Sequence, residues 1–264
     1  MNNTSTLAWH DLQWCLRRAP RPLLELLKRH GSSVMVAGGY IRSCISNEHI
    51  NDIDVFTSSE AQSKAMALEL VEGDEKRVKR TPNCFFVLGF RTHIQFIHRW
   101  TFTDPAACIL SFDFTIARAA FWWEKKMEPA PTDENPKAER DDGAWKTAAD
   151  PRFYQDLAAK RLIYCSPVRI EEAGGSMLRV LKFYQRGYRI PLDSMGKVVA
   201  RLVDAVDMGK IESHVAFGDT REEAMGKVLS GLLREVDPLL DPTHAAHLPS
   251  GEDESTPPTP DAQS

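Results

Sequence analysis

Nowhere in the 264-residue chain do apolar residues run uninterrupted for anything near the eighteen or so positions of a membrane-spanning helix. Met1 to Trp14 likewise lacks the basic start and apolar core of a secretory leader, so the sequence leads us to expect a cytoplasmic protein. The five cysteines (Cys15, Cys44, Cys84, Cys108 and Cys165) are odd in number, widely scattered and include no C-x-x-C pair. That pattern speaks against a disulfide framework or a zinc site and leaves reduced core thiols. No internal repeat is found. Between Pro242 and Ser264 there is no Lys or Arg, while Glu252, Asp253, Glu254 and Asp261 account for the whole formal charge of -4, leaving 33 basic and 33 acidic residues elsewhere. This tail is rich in Pro, Ser and Thr, with Leu248 as its one large apolar residue, so it is expected to be disordered. What remains, in a chain 42% hydrophobic and 27% charged, has the composition of an ordinary globular protein.

Apolar spacing predicts two short helices, Leu7 to Arg18 and Pro22 to His30, split by Ala19-Pro20-Arg21-Pro22. Val34 to Ala37 is a continuous apolar run closed by Gly38-Gly39, read as a strand leading into a brief helix, Tyr40 to Ser46. Ile50 to Thr57 alternates as a second strand, and a helix from Ser58 to about Val71 follows. Cys84 to Phe90 and Thr92 to His98 read as a hairpin, while Ser111 to Trp123 is apolar without a decisive period. Lys125 to Asp150, with three prolines and many charges, is expected to be a long loop. Beyond it Phe153 to Lys160, Ser176 to Gly187, Leu192 to Val206 and Arg221 to Val236 show helical spacing.

Chemistry concentrates in Val36-Ala37-Gly38-Gly39-Tyr40-Ile41-Arg42, followed ten residues on by Asp52-Ile53-Asp54. Paired glycines between strand and helix let a ligand approach the backbone, the helix start favours phosphate, and Arg42 one turn in can add a charge-assisted contact. Residues two apart on a strand share a face, so Asp52 and Asp54 project together and repel unless a cation lies between them. Oxygen ligands of that kind suit Mg2+ or Mn2+ holding nucleotide phosphates. A glycine pair alone fits a tight turn, and Asp-x-Asp alone fits a solvated strand edge. Their combination in strand-glycine-helix-strand order favours phosphate and metal handling.

These residues resemble the nucleotidyltransferase superfamily of DNA polymerase beta, within it the head domain of poly(A) polymerases and class II CCA-adding tRNA nucleotidyltransferases. The family's G-G-x-[VI]-R-D and D-x-D are met by Gly38 to Ser43 and by Asp52-Ile53-Asp54. Its R-R-D-[FL]-T-[IV]-N-A is answered by Ser111-Phe112-Asp113-Phe114-Thr115-Ile116-Ala117-Arg118, and its D-L segment by Gln155 to Leu162. Its last motif is similar to Glu172 to Phe183, with Arg179, Lys182 and Phe183 in register. Phe112 stands where the family has a basic residue, Ala117 where it has Asn, and Ser176 where it has the carboxylate that reads incoming CTP and ATP.

The resemblance implies an α+β fold: a mixed sheet flanked by helices, followed by an all-helical, neck-like extension. Its parts would be N-terminal helices (1–31), a head (32–165), a helical neck (166–241) and the acidic tail (242–264). It implies that Asp52 and Asp54 bind Mg2+ or Mn2+ and, with Asp113, form the catalytic set, although Asp113 also fits a plain capping role. Gly38, Gly39, Arg42, Arg179 and Lys182 would bind the NTP. The reaction implied is transfer of NMP to a hydroxyl, an RNA 3′ end among the candidate acceptors, with release of pyrophosphate. The alternatives are transfer to a protein or small molecule, and a degenerate nucleotide- or RNA-binding protein.

Arg179, Lys182, Arg186 and Arg189 are spaced to form one basic stripe on the helix from Ser176. Two further clusters, Arg17-Arg18-Arg21 with Lys28-Arg29 and Lys76-Arg77 with Lys79-Arg80, fit either a solvated surface or a nucleic-acid backbone. His93 and His98 fall five apart on one strand and so do not form a metal pair. Trp122-Trp123 are expected to cover the core.

Overall fold

The structure, a computed structural model, describes residues 4–126, 143–166 and 173–233. The acidic tail, and most of the loop expected between Lys125 and Asp150, lie outside them. The chain divides into two compact units, Met1–Arg169 and Ile170–Ser264.

The first unit opens with α1 (Trp9–Arg18) and α2 (Arg21–His30), then β1 (Val34–Ala37), α3 (Gly39–Ile45), β2 (Asp52–Thr57) and α4 (Glu60–Leu70). It continues through β3 (Val78–Arg80), β4 (Cys84–Val87), β5 (His93–Ile97), α5 (Pro105–Leu110), β6 (Ala119–Lys125), β7 (Gly143–Ala149) and α6 (Phe153–Ala158). The strands form one mixed sheet in the order β3-β4-β5-β2-β1-β6-β7, in which β2 and β5 run parallel and the other named pairs antiparallel.

Local sequence explains the main elements. Leu12, Cys15 and Leu16 of α1, and Leu23, Leu26 and Leu27 of α2, recur at helical spacing and are buried. All four residues of β1 are buried, as the continuous apolar run requires of a central strand. Ser59 caps α4 by accepting from the Gln62 N–H, and Asp104 caps α5 through the N–H groups of Ala106 and Ala107, with Pro105 in its first turn. One face of the sheet is sealed by Cys108 and Ile109 of α5, which cluster with Met35, Phe56, Ile97 and Ala120. Phe112 and Phe102 pack edge-on to Phe56 at 5.7 and 5.9 Å.

One expectation needs correction here. The stretch expected to be loop from Lys125 to Asp150 contributes β7, whose seven residues pair along the whole of β6. Its alternation of half-exposed and exposed positions, with Trp145 edge-on to Trp123 at 5.2 Å, is that of an edge strand with few large apolar residues. The ambiguous apolar segment divides into a 3-10 turn at Thr115–Ala117 and the strand β6. Trp123 is buried and Trp122 packs on the core cluster.

In the second unit the described residues form α7 (Ala173–Gln185), α8 (Leu192–Asp204), α9 (Met208–Ala216) and α10 (Arg221–Leu232). α10 begins with a reciprocal capping box between Thr220 and Glu223. The sequence missed α9, which Asp207 caps through the Lys210 N–H. No helix among the described residues is long and apolar enough to cross a membrane.

Candidate functional site

Antiparallel pairing of β1 with β2 places Val36 opposite Val55, so the C-terminal end of β1 lies beside the N-terminal end of β2. The Gly38-Gly39 turn and the Asp52-Ile53-Asp54 triplet therefore meet at one edge of the sheet. β6 is antiparallel to β1, with Ala120 opposite Ala37, so the segment preceding it, Asp113 to Ala117, arrives at that same edge. β5 is parallel to β2 and begins there too. Four strand ends thus bring together residues that stand far apart in the chain.

Gly38 sits at φ 85° and ψ -133°, a conformation that side-chain-bearing residues rarely adopt. Its N–H donates to the Ala119 carbonyl at 3.0 Å, and a Cβ built on it would lie 2.9 Å from Phe112 Cε1. Gly39 is different, because a Cβ there would meet only the Arg42 guanidinium at 3.7 Å. We therefore expect Gly38→Ala to cost about 1–3 kcal/mol of stability. Gly39→Ala, inside α3, should be neutral or stabilising by up to about 1 kcal/mol. Thermal denaturation of the two variants side by side checks both.

Arg42 is buried and engaged within its own neighbourhood: Nε lies 3.3 Å from Glu48 Oε2, and Nη2 donates to Ser43 Oγ at 3.0 Å. Asp52 and Asp54 are half-buried and alternate with the buried Ile53 and Val55, so both carboxylates leave the sheet on one face. Across the parallel strand pair Asp52 is in register with His93 and Asp54 with Gln95. Sequence reasoning missed these two neighbours. Gln95 is 7% exposed, and His93 packs its ring on Phe86 at 4.8 Å. Their only sequence signal was the alternation of β5, and nothing local announced that β5 pairs with β2. His98 packs on Phe85, the neighbour of Phe86 on β4, so the two histidines face opposite sides as expected.

Asp113 is 2% exposed, and its carbonyl accepts from the Cys165 N–H at 2.8 Å. Arg118 fixes the loop before it by donating from Nε to the Phe112 carbonyl and from Nη2 to the Leu110 carbonyl, both at 2.9 Å. Thr115 Oγ1 donates to Asp156 Oδ2 at 2.8 Å, tying the loop to α6. Asp156 is fully buried and also receives Arg152 and Arg161. Burial pushes the Asp156 carboxyl up, but the Arg152 and Thr115 hydrogen bonds and the Arg152 charge outweigh it and hold the group below the ordinary carboxylate range. Phe112, at the family's basic position, belongs to the apolar cluster over Phe56, so its ring fills space between core and glycine turn.

Arg179 and Lys182 belong to the second unit, where Arg179 is half-buried and Lys182 exposed on α7. The basic stripe expected along this helix is shorter than its spacing implied. α7 ends at Gln185 because Gly187, at φ 86°, turns the chain, with the Tyr188 N–H donating back to the Phe183 carbonyl at 3.0 Å. Arg189 then lies beyond the helix with its guanidinium 4.6 Å from the Tyr184 ring centroid.

Oxygen donors on one face fit a hard divalent cation, and Asp52 and Asp54 are the residues here that would hold it. Among the described residues no three His, Cys, Asp or Glu side chains form a metal-binding group.

The sequence family described as Gad2, Gabija anti-defense 2 family protein, matches residues 11–160. The chain belongs to this family. A curated relative, Gabija anti-defense 2 of Bacillus phage SPbetaL7, is 30% identical over 99 residues, which are 38% of this chain and 24% of the relative. The chain thus matches about a quarter of that relative's length. Among solved structures it is similar to the Thermotoga maritima CCA-adding enzyme complexed with tRNA, at 20% identity and a TM-score of 0.46, over 90% of this chain and 53% of the other. It is also similar to a CCA-adding enzyme in complex with CTP, at 18% identity and a TM-score of 0.45, again over 90% and 53%. The chain spans about half the length of these enzymes.

Proposed function

We propose that this member of the Gabija anti-defense 2 family is a divalent-metal-dependent nucleotidyltransferase that moves NMP from an NTP to a hydroxyl, releasing pyrophosphate, with an RNA 3′ end as the favoured acceptor. The observation that carries the reading is the convergence of the Gly38-Gly39 turn, the Asp52/Asp54 pair and the Asp113 loop on one sheet edge. The glycine backbone lets phosphate oxygens approach, and Arg42 adds charge beneath it. Asp52 and Asp54 hold the cation, which when bound neutralises phosphate charge and polarises the α-phosphorus. Asp113, deep in its loop, steadies the sugar-side wall. Arg179 and Lys182, on α7 of the second unit, are carried as nucleotide contacts by the resemblance of their motif alone. The acceptor oxygen forms a bond to the α-phosphorus as the bond to the pyrophosphate oxygen breaks, and positioning plus charge neutralisation supply most of the acceleration. The family's description makes opposition to the Gabija defence the setting for this chemistry.

The test is incubation of the full chain with each α-labelled NTP, Mg2+ or Mn2+, and total RNA or cell lysate. Label entering RNA is the expected result. Label in protein or a small product would move the acceptor to the toxin-like alternative, and tight NTP binding with no incorporation into any fraction would leave a nucleotide-binding protein without turnover.

A further inference from the structure

α1 buries Leu12, Cys15 and Leu16, and turns His10, Trp14, Arg17 and Arg18 outward at i, i+4, i+7 and i+8, one helical face. Arg21 follows, exposed, at the start of α2. Arg17, Arg18 and Arg21 make no carboxylate ion pair among the described residues, whereas neighbouring cations do: Lys28 with Glu25, and Arg29 with Glu69. The one acidic residue of α1, Asp11, is occupied by the Tyr154 hydroxyl at 2.6 Å. Trp9 and Trp14 are 63% and 45% exposed. The Trp14 indole is nonetheless held in place, because Nε1 donates to the Cys44 carbonyl of α3 at 3.0 Å and the Arg18 guanidinium lies 5.5 Å from its ring centroid.

The helix C-terminus stabilises Arg17 and Arg18 through the macrodipole, which accounts for their sign. It does not account for the exposed but hydrogen-bonded Trp14 indole beside them or for a third cation, Arg21, beyond the turn. Single exposed apolar residues are ordinary. A fixed indole beside three guanidiniums that lack a carboxylate partner is an arrangement that binds single strands, with a base stacking on the ring and phosphates on the cations. We propose that this face of α1, extended by Arg21, docks single-stranded RNA. The choice of RNA rests on the transferase reading above, and Trp14 joins the face directly to α3, the helix that follows the glycine turn.

The experiment measures binding of a fluorescein-labelled single-stranded RNA dodecamer to the full chain by anisotropy, across a salt series, with no NTP and no divalent cation. Changing Arg17, Arg18 and Arg21 together to Gln should weaken binding at least about tenfold at low salt and flatten the log affinity–log salt slope by roughly 2, about 0.7 per lost phosphate contact. Trp14→Ala should weaken binding severalfold and Trp14→Phe much less, with unchanged melting temperatures for the Gln variant serving as the folding control. No binding by the native chain, or a triple variant that binds equally well with the same slope, would overturn the proposal. So would tighter binding of the matching DNA strand, or displacement of RNA by polyglutamate at equal charge concentration, which would indicate a DNA or an acidic protein partner. Because no nucleotide is present, failure here leaves the transferase reading standing, and absent NMP incorporation with intact RNA binding would remove only that reading.

Discussion

Asp54→Ala is expected to abolish NMP incorporation, by on the order of 10^3-fold or more, while leaving the chain as stable as before within about 1 kcal/mol. The two halves of this expectation come from different residues of one strand. β2 is anchored by Ile53, Val55 and Phe56, which are buried, so its place in the sheet does not depend on the carboxylates between them. Asp52 and Asp54 are only half-buried between these anchors, so trimming one leaves the apolar contacts of the strand intact. On the proposed reading the same carboxylate would, with nucleotide present, help hold the cation that offsets triphosphate charge, and its loss would be felt at the transition state. Asp52→Ala should behave alike, and the double variant should be no worse than either, because residues acting as one unit are not additive. Incorporation of α-labelled NTP, measured beside thermal denaturation, checks this. Retained incorporation in the double variant would place the chemistry elsewhere.

The part of this site that could be read in the sequence was the part built from short-range pattern. Val34 to Ala37, the glycine pair and Asp52 to Asp54 each carry a local signal, and the brief helix between them follows from chain length alone. What could not be read was which strand lies beside β2. Gln95 and His93 come to Asp54 and Asp52 through a parallel pairing across some forty residues, and no local pattern encodes a non-local partner. Phe112 was visible only as a departure from a family pattern. Its packing against Phe56 and over Gly38 supplies the physical reason, since a cation at that position would have to leave the apolar cluster.

Helix boundaries show the same division. α1 and α2 were legible because leucines recur at helical spacing around a proline-bearing break. α7 was read too far, because the charge spacing of Arg186 and Arg189 continues past the glycine that ends the helix. β7 was hidden in a segment rich in proline and charge, where small and polar side chains sufficed because only β6 needed a neighbour.

Asp156→Ala is expected to cost about 2–3 kcal/mol and to lower the melting temperature by roughly 5–10 °C. The Asp156 carboxylate is fully buried and bonds Thr115 Oγ1 at 2.8 Å, Arg152 at 3.1 Å from both Nε and Nη2, and Arg161 Nη2 at 3.0 Å. Breaking a wholly buried pair costs more than this, but Arg152 and Arg161 are 47% and 35% exposed and can turn to water once the carboxylate is gone. Asp156→Asn, which keeps an acceptor for Thr115, should lose less. The pH dependence has a definite sign. A carboxyl held below its unfolded value contributes stability that is fully present above that unfolded value, near pH 4, and is lost as pH falls through the lower folded value. The native chain should therefore lose stability below about pH 4 more steeply than Asp156→Asn, and the gap between their denaturation midpoints should narrow with acid. Because Asp156 reaches the Asp113 loop through Thr115, incorporation should fall in Asp156→Ala even at temperatures where it is fully folded. A variant folded and fully active at 25 °C would show that the loop holds its place without this anchor.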